Sequence, residues 1–160
     1  MLTPVDELRG DDAEDTRLLQ EMAAEARRYI SDFDWCPPVA TLSFAGGVGG
    51  VVALFLVEFE TAIAGTDRRL WLVAGDLPTA YFVVNEHDSA HEALATYCGL
   101  MDDWIAEVRA PGSIGEVYPV AAARTAENAE LLAKRLAFLR ERIIPFLSTD
   151  GISDEPPPRA

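Results

Sequence analysis

The amino-acid sequence predicts one α+β domain, in which three helices pack on a mainly antiparallel four-stranded sheet in the order α-β-β-β-β-α-α. Three segments repeat apolar residues at the helical period, and a block of short strand-like runs lies between the first and the second of them. The chain has 160 residues, 49% of them hydrophobic, so it can bury one core of ordinary size but is short for two. Together these observations predict a single folded unit.

The first helix is predicted from about Asp12 to Asp32. Apolar side chains recur there at steps of three and four residues, whereas acids and arginines fill the other positions. The apolar set comprises Leu18, Leu19, Met22, Ala23, Ala26, Tyr29, Ile30 and Phe33. Pro37 and Pro38 follow, and proline lacks the backbone donor that a helix interior needs. The chain is therefore expected to turn after this helix.

Four strands are predicted, at Val39–Phe44, Val51–Glu60, Leu70–Ala74 and Ala80–Val84, with short glycine-containing connections between them. Short connections favour antiparallel pairing. Residues 51–57 are apolar at every position, so both faces of the second strand should be covered. We expect this strand at the centre of the sheet.

Two further helices complete the prediction. Ser89 lies three residues before Glu92, which is the spacing of a capping box, and Pro111 marks the end of that helix. Thr125 is expected to cap the last helix and Pro145 to end it. The domain then comprises residues 1–148. Residues 149–160 (TDGISDEPPPRA) are rich in proline and acid and are predicted to form a flexible tail.

The acidic composition limits the partners. The chain carries 27 acidic and 13 basic residues, a formal net charge of -14. Binding of nucleic acid or of anionic lipid relies on clustered Lys and Arg, so neither is expected as a partner. Opposite charge instead favours a basic protein partner. Residues 124–142 form the one mildly basic segment, with 3 acids against 5 bases.

The sequence predicts a cytoplasmic location. It begins MLTPVDELRGDDAED, without the basic and apolar regions of a secretory signal. Cys36 and Cys98 form no C-x-x-C pair, which favours a reducing compartment. Residues 40–57 are 18 consecutive uncharged residues, but four glycines and a β-branched series favour a strand hairpin over a membrane span.

Three carboxylates are the candidate catalytic residues. Glu58 and Glu60 project from one side of a predicted strand, about 7 Å apart, a spacing that suits acid/base work or metal binding. Asp76 would add a third carboxylate. The alternative is structural: acids at the exit of a buried strand mark the point where the sheet meets water, and Gly-Asp-Leu-Pro around Asp76 is turn chemistry.

The glycines of residues 46–50 do not predict a nucleotide site. A dinucleotide motif that starts at Gly47 needs glycine or alanine at position 52, which is Val52, and a strand rather than a helix follows. These glycines therefore predict a hairpin or a bulge.

A histidine site is not predicted either. His91, Cys98 and Asp102 share one line of a helix, but they are too far apart along its axis to bind one ion. His87 precedes the helix cap, where a pair with His91 would be unusual. No metal and no cofactor are predicted.

The candidate binding residues are Trp35, Asp76 and Pro78. Trp35 stands in a rigid segment beside two prolines, where it could anchor a partner or cover the base of the first helix. Asp76 and Pro78 belong to the Gly-Asp-Leu-Pro turn after Trp71. We left both interpretations of Trp35 open.

Three stretches carry a resemblance: WLVAGDLPTAYFVV, HEALATYCGLMDDWIAEV and RTAENAELLAKRLAFLRERIIP. Over residues 70–145 the chain resembles a group of uncharacterised small bacterial proteins with a tryptophan-bearing strand, Gly-Asp-Leu-Pro and a closing helix that ends in Ile-Pro. The resemblance implies a bacterial cytosolic α+β domain and no activity. In topology and composition alone, the chain is also similar to small acidic immunity proteins of the SMI1/KNR4-like class.

The sequence therefore favours a non-enzymatic, acidic protein-binding module, such as an immunity-type inhibitor of a basic bacterial protein. A homodimer is a further assembly to consider. The alternative function is a small enzyme or small-ligand-binding protein with a carboxylate site between the sheet and the helices.

Overall fold

The computed structural model describes residues 2–63, 67–85 and 88–152. The helices and strands are β1 (Thr3–Pro4), α1 (Ala13–Ser31), β2 (Val39–Val48), β3 (Val52–Ile63), β4 (Asp67–Gly75), β5 (Ala80–Val83), α2 (Ala90–Arg109) and α3 (Ala126–Phe138). A 3₁₀ turn (Val5–Glu7) precedes α1, and a π-helical turn (Leu139–Ile143) and a 3₁₀ turn (Ile144–Phe146) follow α3. The predicted α+β class with three helices is confirmed.

The sheet is antiparallel in the order β1-β2-β3-β4-β5. The prediction of four strands is wrong, because β1 precedes α1 and pairs with the outer edge of β2. The observed order is therefore β-α-β-β-β-β-α-α. β1 has only two residues, too few to show an alternating pattern, and proline at its second position suits an edge strand.

β3 lies in the middle of the sheet and is covered on both faces, as its sequence predicts. Its even-numbered residues from 52 to 56 belong to a core shared with α2 and α3. Its odd-numbered residues from 53 to 59 belong to a second core shared with α1. The sheet is thus the middle layer between α1 on one side and α2 with α3 on the other.

Side-chain caps define the start of all three helices. Asp12 accepts a hydrogen bond from the backbone N–H of Asp15, at 2.8 Å, at the start of α1. Ser89 accepts from Glu92 and Thr125 accepts from Asn128, both at 3.1 Å, which confirms the two caps predicted for α2 and α3.

The glycine-rich segment forms the β2–β3 hairpin, as predicted, but β2 extends further than expected. Strand pairing continues past Phe44 through Gly46 and Gly47 to Val48. The turn itself is at 49–51, and the carboxylate of Asp15 accepts from the N–H of Gly49 at 2.7 Å. This hydrogen bond fixes the hairpin to the first turn of α1.

The end of the chain runs back over the start of α2. The N–H of His91 donates to Ser148 O at 3.1 Å, and that of Ile152 donates to Asp88 O at 2.8 Å. Residues 153–160 of the predicted flexible tail lie outside the described residues. In the part of the chain that the structure describes, no helix has both the length and the apolar character needed to cross a membrane.

Candidate functional site

The segment after α1 carries two aromatic side chains to the edge of the sheet. Asp32 ends α1, and the N–H of Cys36 donates to Phe33 O at 3.0 Å to close a turn. Because Pro37 and Pro38 cannot extend the helix, the chain turns here and then enters β2. The turn places Phe33 and the residue two positions later, a tryptophan, beside edge strand β5.

Four aromatic rings meet at this place, and we call them the aromatic platform: Tyr29, Phe33, Trp35 and Tyr81. Trp35 stacks on Phe33, with ring centroids 5.4 Å apart and planes at 27°. Tyr81 of β5 contacts both of these rings, each at a centroid distance of 5.1 Å. Tyr29 of α1 meets Phe33 edge to face at 5.2 Å. The platform therefore joins α1, the following turn and β5.

Trp35 is the exposed tryptophan of the described chain. Its exposed fraction is 38%, whereas Trp71 and Trp104 are exposed by 1% or less. Its ring both covers Phe33 at the base of α1 and presents its other surface to solvent, so the two interpretations of Trp35 describe the same arrangement. A tryptophan held in place by neighbouring rings is typical of an anchor for a partner.

The surroundings of the platform are acidic. Asp32 and Asp34 are exposed and alternate with Phe33 and Trp35 along the chain. Residues 1–34 as a whole carry 10 acids against 4 bases. Burial, with a smaller contribution from Tyr81, raises the pKa of the Tyr29 hydroxyl, so this ring remains neutral at ordinary pH.

The sequence argument identified Trp35 but missed Phe33, Tyr29 and Tyr81 as parts of the same site. Tyr29 and Phe33 are four residues apart, and this spacing places them together on a helix surface. It was therefore a usable signal. Nothing local in the sequence connects either residue with Tyr81, because β5 reaches them only through the fold.

Asp76 and Pro78 lie on the other side of the sheet, against α3. Arg135 of α3 donates from Nε to the carbonyl of Asp76 at 2.6 Å and pairs with its carboxylate at 3.1 Å. The Tyr97 hydroxyl donates to Pro78 O at 2.6 Å. Asp76 and Pro78 are therefore positioned by α2 and α3, not by the aromatic platform.

Glu58 is buried, with an exposed fraction of 8%, and lies between Thr41 of β2 and Arg69 of β4 in the ladder. Burial raises the pKa of its carboxyl, while Arg69 and a hydrogen bond from the Thr41 hydroxyl act against this shift. Glu60, two residues further along β3, is exposed.

The structure does not bring the three candidate catalytic carboxylates together. Asp76 follows Gly75, which pairs with Val52 at the start of β3, whereas Glu58 lies six residues further along that strand. At the rise of a β-strand this separation is about 20 Å. In an antiparallel pair, the end of one strand meets the start of the other, so the three acids do not share one site.

The remaining sequence candidates are placed separately. Cys98 is buried, and burial raises the pKa of its thiol to about 11. Asp102 pairs with Arg140, and His87 lies outside the described residues. Among residues 2–63, 67–85 and 88–152, no three His, Cys, Asp or Glu side chains are grouped so that they could hold a metal ion.

A wide groove of about 630 Å³ lies between the first 3₁₀ turn and α1. Its lining consists of Val5, Asp6, Gln20, Ala23, Ala24 and Arg27. These side chains are small or flexible, and none of the candidate residues is among them. The aromatic platform is therefore the better-defined candidate for recognition.

Comparison of the chain with family models, with curated proteins and with solved structures finds no significant match. The resemblances read from the sequence stay predictions, and the functional argument depends on the geometry of the chain itself.

Proposed function

We propose that the chain is a non-enzymatic protein-binding module that docks a basic protein on the aromatic platform, as an immunity-type inhibitor would. The observation that carries this proposal is Trp35, which is exposed by 38% and is held between Phe33 and Tyr81. Asp32 and Asp34 add negative charge beside it.

The rigidity of the platform favours binding. A mobile tryptophan loses rotamer freedom when a partner covers it, and this loss offsets part of the gain from burial. Trp35 is already fixed by ring contacts at 5.4 Å and 5.1 Å, so less freedom remains to be lost. A rigid, partly exposed tryptophan is the usual centre of a protein–protein hot spot.

The charge pattern selects a cationic partner. An exposed aromatic face attracts Lys or Arg through its π electrons, with about 0.5–1 kcal/mol at an exposed site and about 2 kcal/mol where water is excluded. Nearby carboxylates add to this attraction, and a net charge of -14 speeds the approach of basic molecules. An acidic partner would meet repulsion from both sources.

The alternative function, an enzyme or small-ligand-binding protein with a carboxylate site, has less support. Glu58 has the raised pKa that is common in functional sites, but its ladder neighbours are Thr41 and Arg69 rather than a second acid. Acid/base pairs need both groups within reach of one substrate, and Asp76 lies at the opposite end of β3.

Titration with short peptides tests the proposal. We expect hexalysine and hexaarginine to bind and to change the fluorescence of Trp35, because the other two tryptophans are buried. Hexaglutamate should have no effect. By calorimetry, Trp35→Ala should weaken binding of hexaarginine by about 1 kcal/mol, roughly five-fold. Binding should also weaken between low and physiological salt.

Matched charge variants separate the platform from the general acidity of the chain. Asp32→Asn with Asp34→Asn removes two charges at the platform, whereas Asp103→Asn with Glu116→Gln removes two exposed charges elsewhere. Only the first pair should reduce binding several-fold. Equal losses from both pairs, or unchanged binding by Trp35→Ala, would refute the platform as the site.

The same variants test the partner itself. In low-salt affinity purifications, a basic protein should be retained by the wild-type chain and by the variant changed at Asp103 and Glu116, but not by Trp35→Ala. Retention of the same proteins by all three baits would count against docking at the platform.

A further inference from the structure

The outer surface of α3 exposes two large apolar side chains in one line. Leu131 and Phe138 are exposed by 43% and 45%. They are seven residues apart, which is two helical turns or about 10.5 Å along the axis. Most exposed hydrophobic residues need no explanation, but two on the same helix line, beside open grooves, form a surface that another molecule can cover.

Two grooves flank this line. One groove of about 200 Å³ is lined by Leu77, Pro78, Trp104, Val120, Leu131 and others. The second, of about 240 Å³, is lined by Val51, Leu77, Lys134, Phe138 and others. Arg135, bound to Asp76, separates them. The surface therefore presents a protruding aromatic ring at Phe138 and a recess near Leu131.

The charges along α3 change sign. Residues 124–133 contain one base and two acids, whereas residues 134–142 contain four bases and one acid. Glu127 lies one turn before Leu131, and Arg142 lies one turn after Phe138. The acidic end and the basic end are therefore arranged symmetrically around the apolar pair.

From this arrangement we propose that a second copy of the chain covers α3, with the two α3 helices antiparallel about a two-fold axis between Lys134 and Arg135. In this register Leu131 of each copy meets Phe138 of the other, and Glu127 meets Arg142. The ring of Phe138 enters the recess beside Leu131 in both directions. One patch supplies both halves of every contact, as an isologous dimer requires.

The charge pattern favours a second copy over other occupants. A basic protein would meet the four bases of residues 134–142, and an acidic protein would meet the acids of the rest of the chain, which carries the net charge of -14. An antiparallel copy offsets both ends of α3. Near the axis, Asp76 offsets the charge of Arg135 in each copy, and the long side chain of Lys134 can extend to solvent.

The molar mass in solution tests this dimer directly. Light scattering after gel filtration, at roughly 1–100 µM, should give twice the 17.4 kDa of one chain at the upper concentrations. Phe138→Glu and Leu131→Glu should each raise the dimer dissociation constant at least about ten-fold. Val83→Glu adds the same charge at another exposed apolar residue and should leave the dimer intact.

A charge exchange tests the register. Glu127→Arg places two cations together at each end of the interface, and Arg142→Glu places two acids together, so each single variant should dissociate more readily. The double variant restores the opposite charges and should recover the dimer. Circular dichroism and thermal unfolding of each variant show whether the chain is still folded.

The outcomes separate this inference from the proposed function. A monomer at every concentration, or a dimer that Phe138→Glu and Leu131→Glu leave unchanged, would overturn it. A double charge variant that remains weaker than both single variants would overturn the antiparallel register. Trp35→Ala should leave the mass unchanged, because the aromatic platform lies outside the α3 surface.

Discussion

The hydroxyl of Tyr118 is bonded to both backbone groups of Tyr81. It accepts from the N–H of Tyr81 at 2.9 Å and donates to its carbonyl at 2.7 Å. β5 is an edge strand, and such strands expose backbone groups that pair readily with other chains. Tyr118 therefore closes the edge at the residue whose ring supports Trp35 in the aromatic platform.

We expect Tyr118→Phe to lower the free energy of unfolding by about 1–2 kcal/mol, because two hydrogen bonds are lost while the ring remains. Urea unfolding measures this change. Tyr29→Phe is the matched control: it also removes a hydroxyl, one that makes no hydrogen bond within the described residues, so it should change stability by less than about 0.5 kcal/mol. Equal effects of the two variants would contradict a structural role for the Tyr118 hydroxyl.

Glu107 organises the loop after α2. Its carboxylate accepts from the backbone N–H groups of Gly112, Ile114 and Gly115, at 2.6, 2.8 and 3.0 Å. These hydrogen bonds, that of Gly115 most, lower the pKa of Glu107. The charged form is therefore stabilised in the folded chain.

A lowered pKa makes the contribution of Glu107 depend on pH in a defined direction. It is fully present above the pKa of an unfolded Glu, about 4.3, and is lost as the pH falls through the lower folded value. Glu107→Gln should therefore be less stable than wild type at pH 7, and the difference should shrink towards pH 3. Urea unfolding at several pH values measures it, and a difference independent of pH would refute this origin.

Glu58 should show the opposite dependence. Burial raises the pKa of its carboxyl, so the folded chain favours the protonated form, and the ionised carboxylate destabilises the fold at neutral pH. We expect Glu58→Gln to be more stable than wild type at pH 7, with a difference that vanishes as the pH falls below about 4.3. The exposed Glu60→Gln is the control and should give a flat difference. A Glu58→Gln variant less stable than wild type at pH 7 would mean that the attraction of Arg69 outweighs burial.

Local sequence patterns predicted the parts of the fold that depend on local physics. The caps at Ser89 and Thr125 follow from side chains that satisfy free N–H groups nearby, and the central position of β3 follows from apolar residues on both faces. β1 has two residues and leaves no such pattern. The strand is held by pairing with Ser43 and Phe44, which are distant in sequence.

The candidate sites show a similar limit. The separation of Glu58 from Asp76 was already implied by the predicted antiparallel pairing, because the end of one strand must lie beside the start of its neighbour. The contact of Trp35 with Tyr81 was not implied, since it requires the turn after α1 and the edge strand β5 to meet in three dimensions.

Two glycines offer a final test of how the β2–β3 hairpin is built. Gly47 has φ +147, and a Cβ added there would collide with the backbone carbonyl of Val52 on the paired strand. Gly99 is exposed in α2, and a Cβ there would meet open space. Gly47→Ala should therefore lower the free energy of unfolding by about 2 kcal/mol or more, whereas Gly99→Ala should raise it by about 0.5–1 kcal/mol.

The two substitutions lie in different elements, so their effects on unfolding in urea should add in the double variant. Because the same chemical change is made at both sites, a difference in sign isolates the backbone geometry of the hairpin from the general effect of alanine on the unfolded chain. Stabilisation by Gly47→Ala would mean that β2 can leave its close approach to Val52 without cost. The glycine pair of this strand would then have no structural requirement behind it.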